Sequence, residues 1–178
     1  MSAQDRSRWD ASYADRGPVC EPGLPAVFAV YAATFPVSGV ALDIACGQGA
    51  AAVWLAQRGL DVTGFDVSAV AVGRARALAE QAGVAAHFEV ADLDDGLPPG
   101  PPVEVLVCHR FRDPRLYPAL VDRLAPGGLL AICVLSEVGG SSGPFRAPAG
   151  ELHAAFAGLD TVAVGESDGQ AWLLARRA

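Results

Sequence analysis

The sequence predicts an α/β protein built as a three-layer sandwich, with helices on both faces of a seven-stranded, mostly parallel sheet. Along most of the 178-residue chain, short apolar runs alternate with helical stretches, a pattern typical of parallel sheets. A glycine-containing turn follows the first of these runs directly. Near the end of the chain only Asp168 and Gly169 separate the last two runs, and so short a link forms an antiparallel hairpin. The sheet is therefore expected to have an antiparallel last strand.

The chain is expected to form a single domain, in which an N-terminal helical segment at residues 1–37 precedes the sandwich at residues 38–178. The apolar run VALDIAC is typical of a buried strand. A helix follows it and stops at Gly59, and Ser68 can cap a second helix that ends at Gly83. The strands predicted in this half of the chain span residues 40–46, 61–67 and 85–92.

In the second half of the chain, a proline-rich surface loop leads to a fourth strand at residues 103–109. Asp113 is expected to cap the next helix, with Pro114 at its first position. The apolar stripe of that helix consists of Leu116, Leu120, Val121 and Leu124. A short helix carrying Leu152 and Phe156 is also expected. The remaining strands are predicted at residues 129–135, 160–167 and 170–177.

Composition and charge restrict the class of protein. Hydrophobic residues make up 52% of the chain and charged residues 19%, which is typical of a globular domain. The net charge of −7 argues against a nucleic-acid-binding surface. The first ten residues are too polar for a signal peptide, and the longest apolar run, residues 24–35, is shorter than the roughly 20 residues that a membrane span requires. We therefore expect a cytoplasmic protein without nucleic-acid or membrane partners.

Absent residue types exclude several kinds of chemistry. The chain has neither lysine nor asparagine. Without lysine there is no Schiff-base chemistry, no phosphate-loop lysine and no Tyr-x-x-x-Lys pair of short-chain dehydrogenases. Without asparagine there is no Asn-Pro-Pro-Tyr motif of amino-methylating DNA enzymes. No two cysteines stand at CxxC spacing, so no metal site is expected; the cysteines are Cys20, Cys46, Cys108 and Cys133, of which the last two are expected to be buried.

The turn after the first strand, ACGQGA, has the form of a nucleotide-binding loop. Gly47, Gly49 and Ala52 satisfy the dinucleotide fingerprint. Asp66 ends the second strand, where a carboxylate can reach ribose hydroxyls. These features suit a nicotinamide dinucleotide and S-adenosylmethionine equally well.

Three further features favour S-adenosylmethionine. Asp43 precedes the glycine turn, where a carboxylate would repel a pyrophosphate but suits a ligand that carries an ammonium and a sulfonium. Asp92 ends the third strand and can accept a hydrogen bond from the exocyclic amine of adenine. The predicted antiparallel last strand is foreign to the dinucleotide-binding fold. Asp43 or Asp92 alone could equally well cap a neighbouring turn.

Four motifs in order, LDIACGQG, FDVS, VADLDD and LAPGGLLAI, resemble those of the class I S-adenosylmethionine-dependent methyltransferases, which have a Rossmann-like fold. The resemblance covers roughly residues 40–177 and implies S-adenosyl-L-methionine as cofactor and S-adenosyl-L-homocysteine as product. The cofactor-binding residues that it implies are Asp43, Ala45, Cys46, Gly47, Gly49, Asp66, Val67, Asp92 and Leu93. Asp43 would hold the methionine ammonium, Asp66 the ribose hydroxyls and Asp92 the adenine.

The chain departs from the family pattern at one position and shares one further segment with some of its members. The family usually has glycine where this chain has Ala45, and alanine is a mild change only if the backbone there is not at positive φ. The segment RWDASYADRG is similar to a helix that closes over the cofactor in small-molecule methyltransferases, which makes Trp9, Tyr13 and Arg16 candidate contacts. Trp9 and Tyr13 are four residues apart and could instead pack the helix onto the sheet.

The methyl acceptor is expected above the strand ends, near the segments that follow the fourth and fifth strands. His109 is the only histidine placed for proton transfer, which makes it the candidate catalytic residue. Candidate substrate residues are Arg110, Phe145 and Arg146, since arginines can receive an anion; Arg112 is more simply a surface charge. The stretch GGSSGPFRAPAGEL resembles one in the tellurite-resistance (TehB) group of methyltransferases, which implies a small acceptor such as a thiol or a selenium or tellurium oxyanion.

Two other functions stay open at this point. One is a nicotinamide-dinucleotide-dependent oxidoreductase, which would have to explain Asp43. The other is a protein that binds S-adenosylmethionine or S-adenosylhomocysteine without transferring a methyl group. The oligomeric state, monomer or dimer, cannot be read from the sequence.

Overall fold

The computed structural model describes residues 3–19 and 21–178, and within them the predicted α/β sandwich is confirmed. The helices are α1 (Ala3–Asp15), α2 (Ala26–Ala29), α3 (Ala50–Gln57), α4 (Ala69–Ala82), α5 (Tyr117–Arg123) and α6 (Glu151–Ala155). The strands are β1 (Val40–Ile44), β2 (Asp61–Asp66), β3 (His87–Val90), β4 (Val103–His109), β5 (Leu124–Leu135), β6 (Asp160–Ser167) and β7 (Gln170–Arg176). Cys20 lies outside the described residues.

The strands of this part of the chain form one sheet in the order β3-β2-β1-β4-β5-β7-β6. The first five in that order are parallel, whereas β7 runs antiparallel to both β5 and β6. Asp168 and Gly169 link β6 to β7 with φ angles of 51° and 74°, and a tight type I′ hairpin requires positive φ at both positions. The predicted antiparallel last strand is therefore confirmed.

The strand order changes direction between β1 and β4, which are neighbours although two strands and two helices separate them in sequence. At such a switch point the loops leaving the two strands diverge to opposite faces, and the resulting crevice is where open α/β sheets bind ligands. The glycine turn leaves β1 at this crevice.

Several predicted boundaries were wrong. β1 ends at Ile44 rather than Cys46 because Ala45 turns the chain with a φ of 52°. β3 begins only at His87, so this histidine starts the strand and is exposed instead of lying in its middle. β5 begins at Leu124, five residues early, because the backbone pairs with β4 on both sides of an irregularity near Val103. By contrast, α4 has the predicted bounds, because a serine cap and a terminal glycine mark them in the sequence.

Both faces of the sheet are covered by apolar side chains. One core layer packs α5 and α6 against the sheet and includes Leu120, Leu124 and Phe156. The other packs α3 and α4 and includes Leu55 and Leu78. Cys108 and Cys133 are buried, as expected. These layers hold the strand ends, and thus the candidate site residues, in fixed positions.

The N-terminal segment is less helical than expected, because only α1, α2 and a 3-10 turn at Ala32–Thr34 form there. Aromatic contacts attach its second half to the sandwich: Phe28 and Tyr31 lie against Trp172, and Phe35 lies edge-on to Trp54. None of the described helices is both long and apolar enough to cross a membrane.

Candidate functional site

The glycine turn between β1 and α3 contains three residues with a left-handed backbone. Ala45, Gly47 and Gly49 have φ angles of 52°, 54° and 81°. Glycine adopts this conformation freely, whereas alanine is strained there because its Cβ crowds the backbone. Alanine is a mild change at position 45 only if φ is not positive there, and the positive φ of Ala45 does not meet that condition. At Gly49 a Cβ would also lie 2.7 Å from the Cβ of Ala75, so this position requires glycine.

Two carboxylates are buried beside this turn, Asp43 at the end of β1 and Asp66 at the end of β2, with only 3% and 5% of their surface exposed. Asp43 Oδ2 accepts a hydrogen bond of 3.2 Å from the amide of Ala52, the only one that its side chain forms among the described residues. Burial, opposed in part by that bond and reinforced by the charge of Asp66, raises the pKa of Asp43 from 3.8 to about 7. An ionised Asp43 therefore has no cationic partner among the residues that the structure describes.

Asp66 is held more tightly than Asp43. Its Oδ2 accepts from the amide of Gly47 at 2.8 Å, and its Oδ1 accepts from the amide of Ser68 at 2.9 Å. Burial raises the pKa of Asp66, and these two bonds oppose the shift. The carboxylate thus joins the glycine turn to the first turn of α4.

The remaining residues predicted to bind the cofactor lie at or just after the carboxyl ends of β1, β2 and β3. Cys46 lies in the glycine turn, where burial, reinforced by the charges of Asp43 and Asp66, raises the pKa of its thiol well above the usual value. Val67 and Leu93 are buried. Asp92 Oδ1 accepts from the amide of Asp94 at 3.0 Å and caps the 3-10 turn Leu93–Asp95. This is the capping role that the sequence left open for Asp92. Its contact with adenine stays a prediction.

Helix α1 lies over the glycine turn through Tyr13. A Cβ at Gly47 would be 2.9 Å from the Tyr13 hydroxyl oxygen. Trp9 lies one helical turn away, with 5.9 Å between the two ring centroids, and the guanidinium of Arg16 sits 5.5 Å from the Tyr13 ring centroid. Trp9 and Tyr13 are both half-buried. The structure thus brings Tyr13 to the predicted cofactor site.

His109 and Arg110 come directly after the last β1–β4 pair, in which Ile44 is opposite Cys108. The register places them beside Ala45, at the crevice. Burial, together with the charge of Arg110, lowers the pKa of His109 from 6.5 to about 4, so the imidazole is neutral at pH 7. Arg110 has a left-handed backbone, with a φ of 60°, and its side chain is exposed.

The loop between β5 and α6 is fastened to the sandwich, and two of the predicted substrate residues lie in it. Arg146 Nη1 donates to the carbonyl oxygen of Ser136 at 2.8 Å and more weakly to that of Gly169. Glu166 accepts from the Ser136 hydroxyl at 2.6 Å and from the amide of Gly150 at 2.9 Å. The side chain of Phe145, by contrast, is 65% exposed. Arg146 thus shapes this loop, whereas Phe145 is presented by it.

Arg112 is not an ordinary surface charge. Its guanidinium forms a bidentate ion pair with Glu151 at the start of α6, and both side chains are largely buried. Tyr117 donates its hydroxyl to the same carboxylate at 2.8 Å, and Arg112 also donates to the carbonyl of Pro144. The hydrogen bonds to Glu151 raise the pKa of Arg112 and lower that of Glu151, so the pair is ionised and braces the same loop.

Sequence reasoning missed the polar residues that attach the N-terminal segment. Gln48, inside the glycine turn, accepts from the amide of Val19 and donates to the carbonyl of Gly17. Asp10 and Arg74 join α1 to α4. Their partners are dozens of residues away in sequence, so no local pattern marks them. The only available signal was a polar glutamine at the centre of a turn otherwise made of small residues.

Comparison with known proteins agrees with this architecture. Residues 41–128 match the family described as Methyltransferase domain. Trans-aconitate 2-methyltransferase of Streptomyces coelicolor is 34% identical over an alignment of 118 residues, and the match covers 62% of this chain and 37% of that protein. The chain spans between 26% and 37% of the length of the curated relatives it matches.

Two solved structures share the fold over most of the chain. A protein studied for the conversion of a disulfide bond into a thioacetal group during echinomycin biosynthesis is 27% identical, with a TM-score of 0.70, and the match covers 97% of this chain and 92% of that one. TehB from Haemophilus influenzae has a TM-score of 0.74 at 20% identity, over 84% of this chain and 61% of TehB.

Proposed function

We propose that this chain, which carries a methyltransferase domain of the class I S-adenosylmethionine-dependent type, transfers the methyl group of S-adenosylmethionine to a small, anionic acceptor. The single observation that carries the proposal is Asp43, a buried carboxylate at the switch point whose only hydrogen bond among the described residues comes from one backbone amide. An incoming ammonium would supply the missing partner. A pyrophosphate in the same place would meet two buried carboxylates.

The residues present fit the cofactor. Gly47 has no side chain, and the Tyr13 hydroxyl comes within 2.9 Å of the position that a Cβ would take there, so a polar group can approach the backbone of the turn at this residue. We assign the ribose hydroxyls to Asp66, which the amides of Gly47 and Ser68 hold in one orientation, and the adenine to Asp92 and the Leu93 backbone. S-adenosylmethionine supplies a methyl group bound to a positively charged sulfur, which leaves as a neutral thioether when the acceptor attacks.

The acceptor side favours a substrate that arrives already ionised. A histidine with a pKa of about 4 is a weak base, so we give His109 the role of orienting the acceptor by a hydrogen bond. Arg110 adds a positive charge beside it, and no hydrogen bond or ion pair within residues 3–19 and 21–178 occupies that guanidinium. A thiolate, carboxylate or oxyanion needs no base, because its lone pair attacks the methyl carbon directly while the carbon–sulfur bond breaks.

The named relatives support a small acceptor without fixing it. Trans-aconitate is a small carboxylate, and the conversion named for the echinomycin protein turns a disulfide bond into a thioacetal group. Similarity also extends to a ribosomal protein L11 methyltransferase and to a 16S rRNA methyltransferase. We favour the small acceptor because the acidic net charge of −7 opposes nucleic-acid binding, and we place the reaction in the cytoplasm.

The first experiment is calorimetric titration with S-adenosylmethionine, S-adenosylhomocysteine and reduced nicotinamide dinucleotide, on the wild type and on Asp66→Ala. We expect micromolar binding of the first two ligands and at least tenfold weaker binding by the variant, since a charged hydrogen bond is worth roughly 1.5–3 kcal/mol. Binding of the nicotinamide alone would overturn the proposal in favour of an oxidoreductase.

The second experiment identifies the acceptor class from S-adenosylhomocysteine production with a panel of thiols, carboxylates, selenite and tellurite, and neutral amines and alcohols. For the best anion, Arg110→Gln should raise KM about tenfold with a small effect on kcat, whereas Arg110→Lys, the matched control, should retain most of the activity. Cofactor binding without turnover of any acceptor would favour the protein that binds S-adenosylmethionine without transferring its methyl group. An unchanged KM in Arg110→Gln would refute the anion site.

A further inference from the structure

Helix α1 provides a cap for the first turn of α4. The Asp10 carboxylate accepts from the Ser68 hydroxyl at 2.5 Å and from the amide of Val70 at 3.3 Å. Ser68 itself caps α4 by accepting from the amide of Ala71. A carboxylate at this end also interacts favourably with the helix dipole. The bond from Ser68 lowers the pKa of Asp10, so the carboxylate is ionised at neutral pH.

Helix α4 in turn provides a cap for the last turn of α1. The Arg74 guanidinium donates to the carbonyl oxygens of Tyr13, Ala14 and Arg16. These are carbonyls that a helix end leaves without partners inside the helix. Each of the two helices therefore completes the hydrogen bonding of the other, and we call the pair of contacts made by Asp10 and Arg74 the reciprocal caps.

The reciprocal caps fix the helix that covers the glycine turn. Arg74 holds the backbone of Tyr13 itself, and the Tyr13 hydroxyl lies directly against Gly47. At the other end, Asp10 holds Ser68, whose amide donates to the proposed ribose ligand Asp66. Because the Tyr13 hydroxyl lies next to Gly47, a ligand seated on the turn at this residue would lie beneath α1, and movement of α1 would open its path.

We infer that Asp10 and Arg74 are positioning residues that hold α1 closed over the cofactor and thereby set the rate at which S-adenosylhomocysteine is released. This inference rests on the proposed function, since it needs a ligand on the glycine turn. It assigns no chemical step to either residue. Breaking one cap lets α1 open more often, so ligand exchange becomes faster in both directions.

The test uses Arg74→Gln and Asp10→Asn, each with a matched control. Arg76→Gln changes an arginine of the same helix that donates to the carbonyl of Phe88 on β3 and not to α1. Asp15→Asn changes an exposed carboxylate of α1 whose side chain forms no hydrogen bond within the described residues. Stopped-flow measurement of S-adenosylhomocysteine release is combined with hydrogen exchange of the α1 amides in the ligand-free protein.

We expect release to become about tenfold faster in Arg74→Gln and in Asp10→Asn, which corresponds to the net loss of one hydrogen bond. The α1 amides should exchange correspondingly faster, while both controls behave like the wild type. Wild-type release rates in both test variants would overturn the inference, as would equal acceleration in Arg76→Gln. If no variant and not even the wild type binds S-adenosylhomocysteine, the proposed function fails; unchanged α1 exchange in the ligand-free variants would then refute the caps independently.

Discussion

Replacing Asp43 with asparagine should stabilise the ligand-free protein, and the gain should grow with pH. The pKa of this carboxyl rises from 3.8 to about 7 on folding because the group is buried. The folded state therefore binds the proton more tightly than the unfolded state does. Stability is consequently lost as the pH increases from about 4 to 7, where the unfolded chain ionises first, and the loss is complete above the folded pKa.

The magnitude follows from the two pKa values. Each pKa unit corresponds to about 1.4 kcal/mol, so the ionised Asp43 costs the fold about 4 kcal/mol at pH 8.5. At pH 5 the folded carboxyl is still protonated and the cost is only about 1–2 kcal/mol. Asparagine has nearly the same shape, can still accept from the amide of Ala52, and carries no charge. The gain from Asp43→Asn should therefore be about 3 kcal/mol larger at pH 8.5 than at pH 5.

Urea unfolding of the wild type and of Asp43→Asn at the two pH values measures this difference. The control is Asp61→Asn, since Asp61 is an exposed carboxylate at the start of the neighbouring strand β2. Asp43→Asn should also lose most of its affinity for S-adenosylmethionine, because the proposed ammonium partner is gone. A stability gain that is equal at pH 5 and pH 8.5 would refute the reasoning, since Asp43 would then be ionised without penalty in the folded state.

Two other substitutions test the local geometry. Ala45→Gly should stabilise the protein by about 1 kcal/mol in urea unfolding, because relief of the left-handed alanine outweighs the added flexibility of the unfolded chain. The control Ala77→Gly, on the exposed face of α4, should destabilise the protein by about as much. A loss of stability in both variants would contradict the strain at Ala45. Glu151→Gln should cost about 1–2 kcal/mol by weakening the largely buried pair with Arg112 and should raise the acceptor KM more than it lowers kcat. Equal kinetics in Glu151→Gln and the wild type would show that the loop it braces does not take part in acceptor binding.

Much of the fold could be predicted because local chemistry marks it. The sequence Asp168–Gly169 sets the final hairpin because both residues accept positive φ, and the caps at Ser68 and Gly83 define α4 to the residue. The start of β5 at Leu124 could not be predicted, because the PGG sequence is typical of a turn and Gly127 does turn with a φ of 75°; only the pairing of Leu124 with Val103 of β4, across the irregularity, extends the strand to this residue. Here tertiary contacts override local propensity.

The candidate site was predictable on its cofactor side and less so elsewhere. Asp43 and Asp66 stand at strand ends, and the topology of parallel strands brings such positions together. The predictions failed for Arg112, whose partner Glu151 is 39 residues away, and did not include Asp10 or Arg74. Pairs of charged residues so far apart have no periodicity that a single sequence reveals.

The distribution of backbone strain coincides with the crevice between β1 and β4, independently of any relative. Of the non-glycine residues that the structure describes, three have positive φ: Ala45, Arg110 and Asp168. Asp168 belongs to a hairpin that requires this conformation, but Ala45 and Arg110 follow β1 and β4, the two strands at the switch point. The most costly buried carboxylate, Asp43, ends the same strand β1. Neither the strained backbone nor the buried charge stabilises the fold. Both lie where the binding of a ligand would offset their free-energy cost, so we regard this crevice as the part of the chain that is shaped by binding and not by folding.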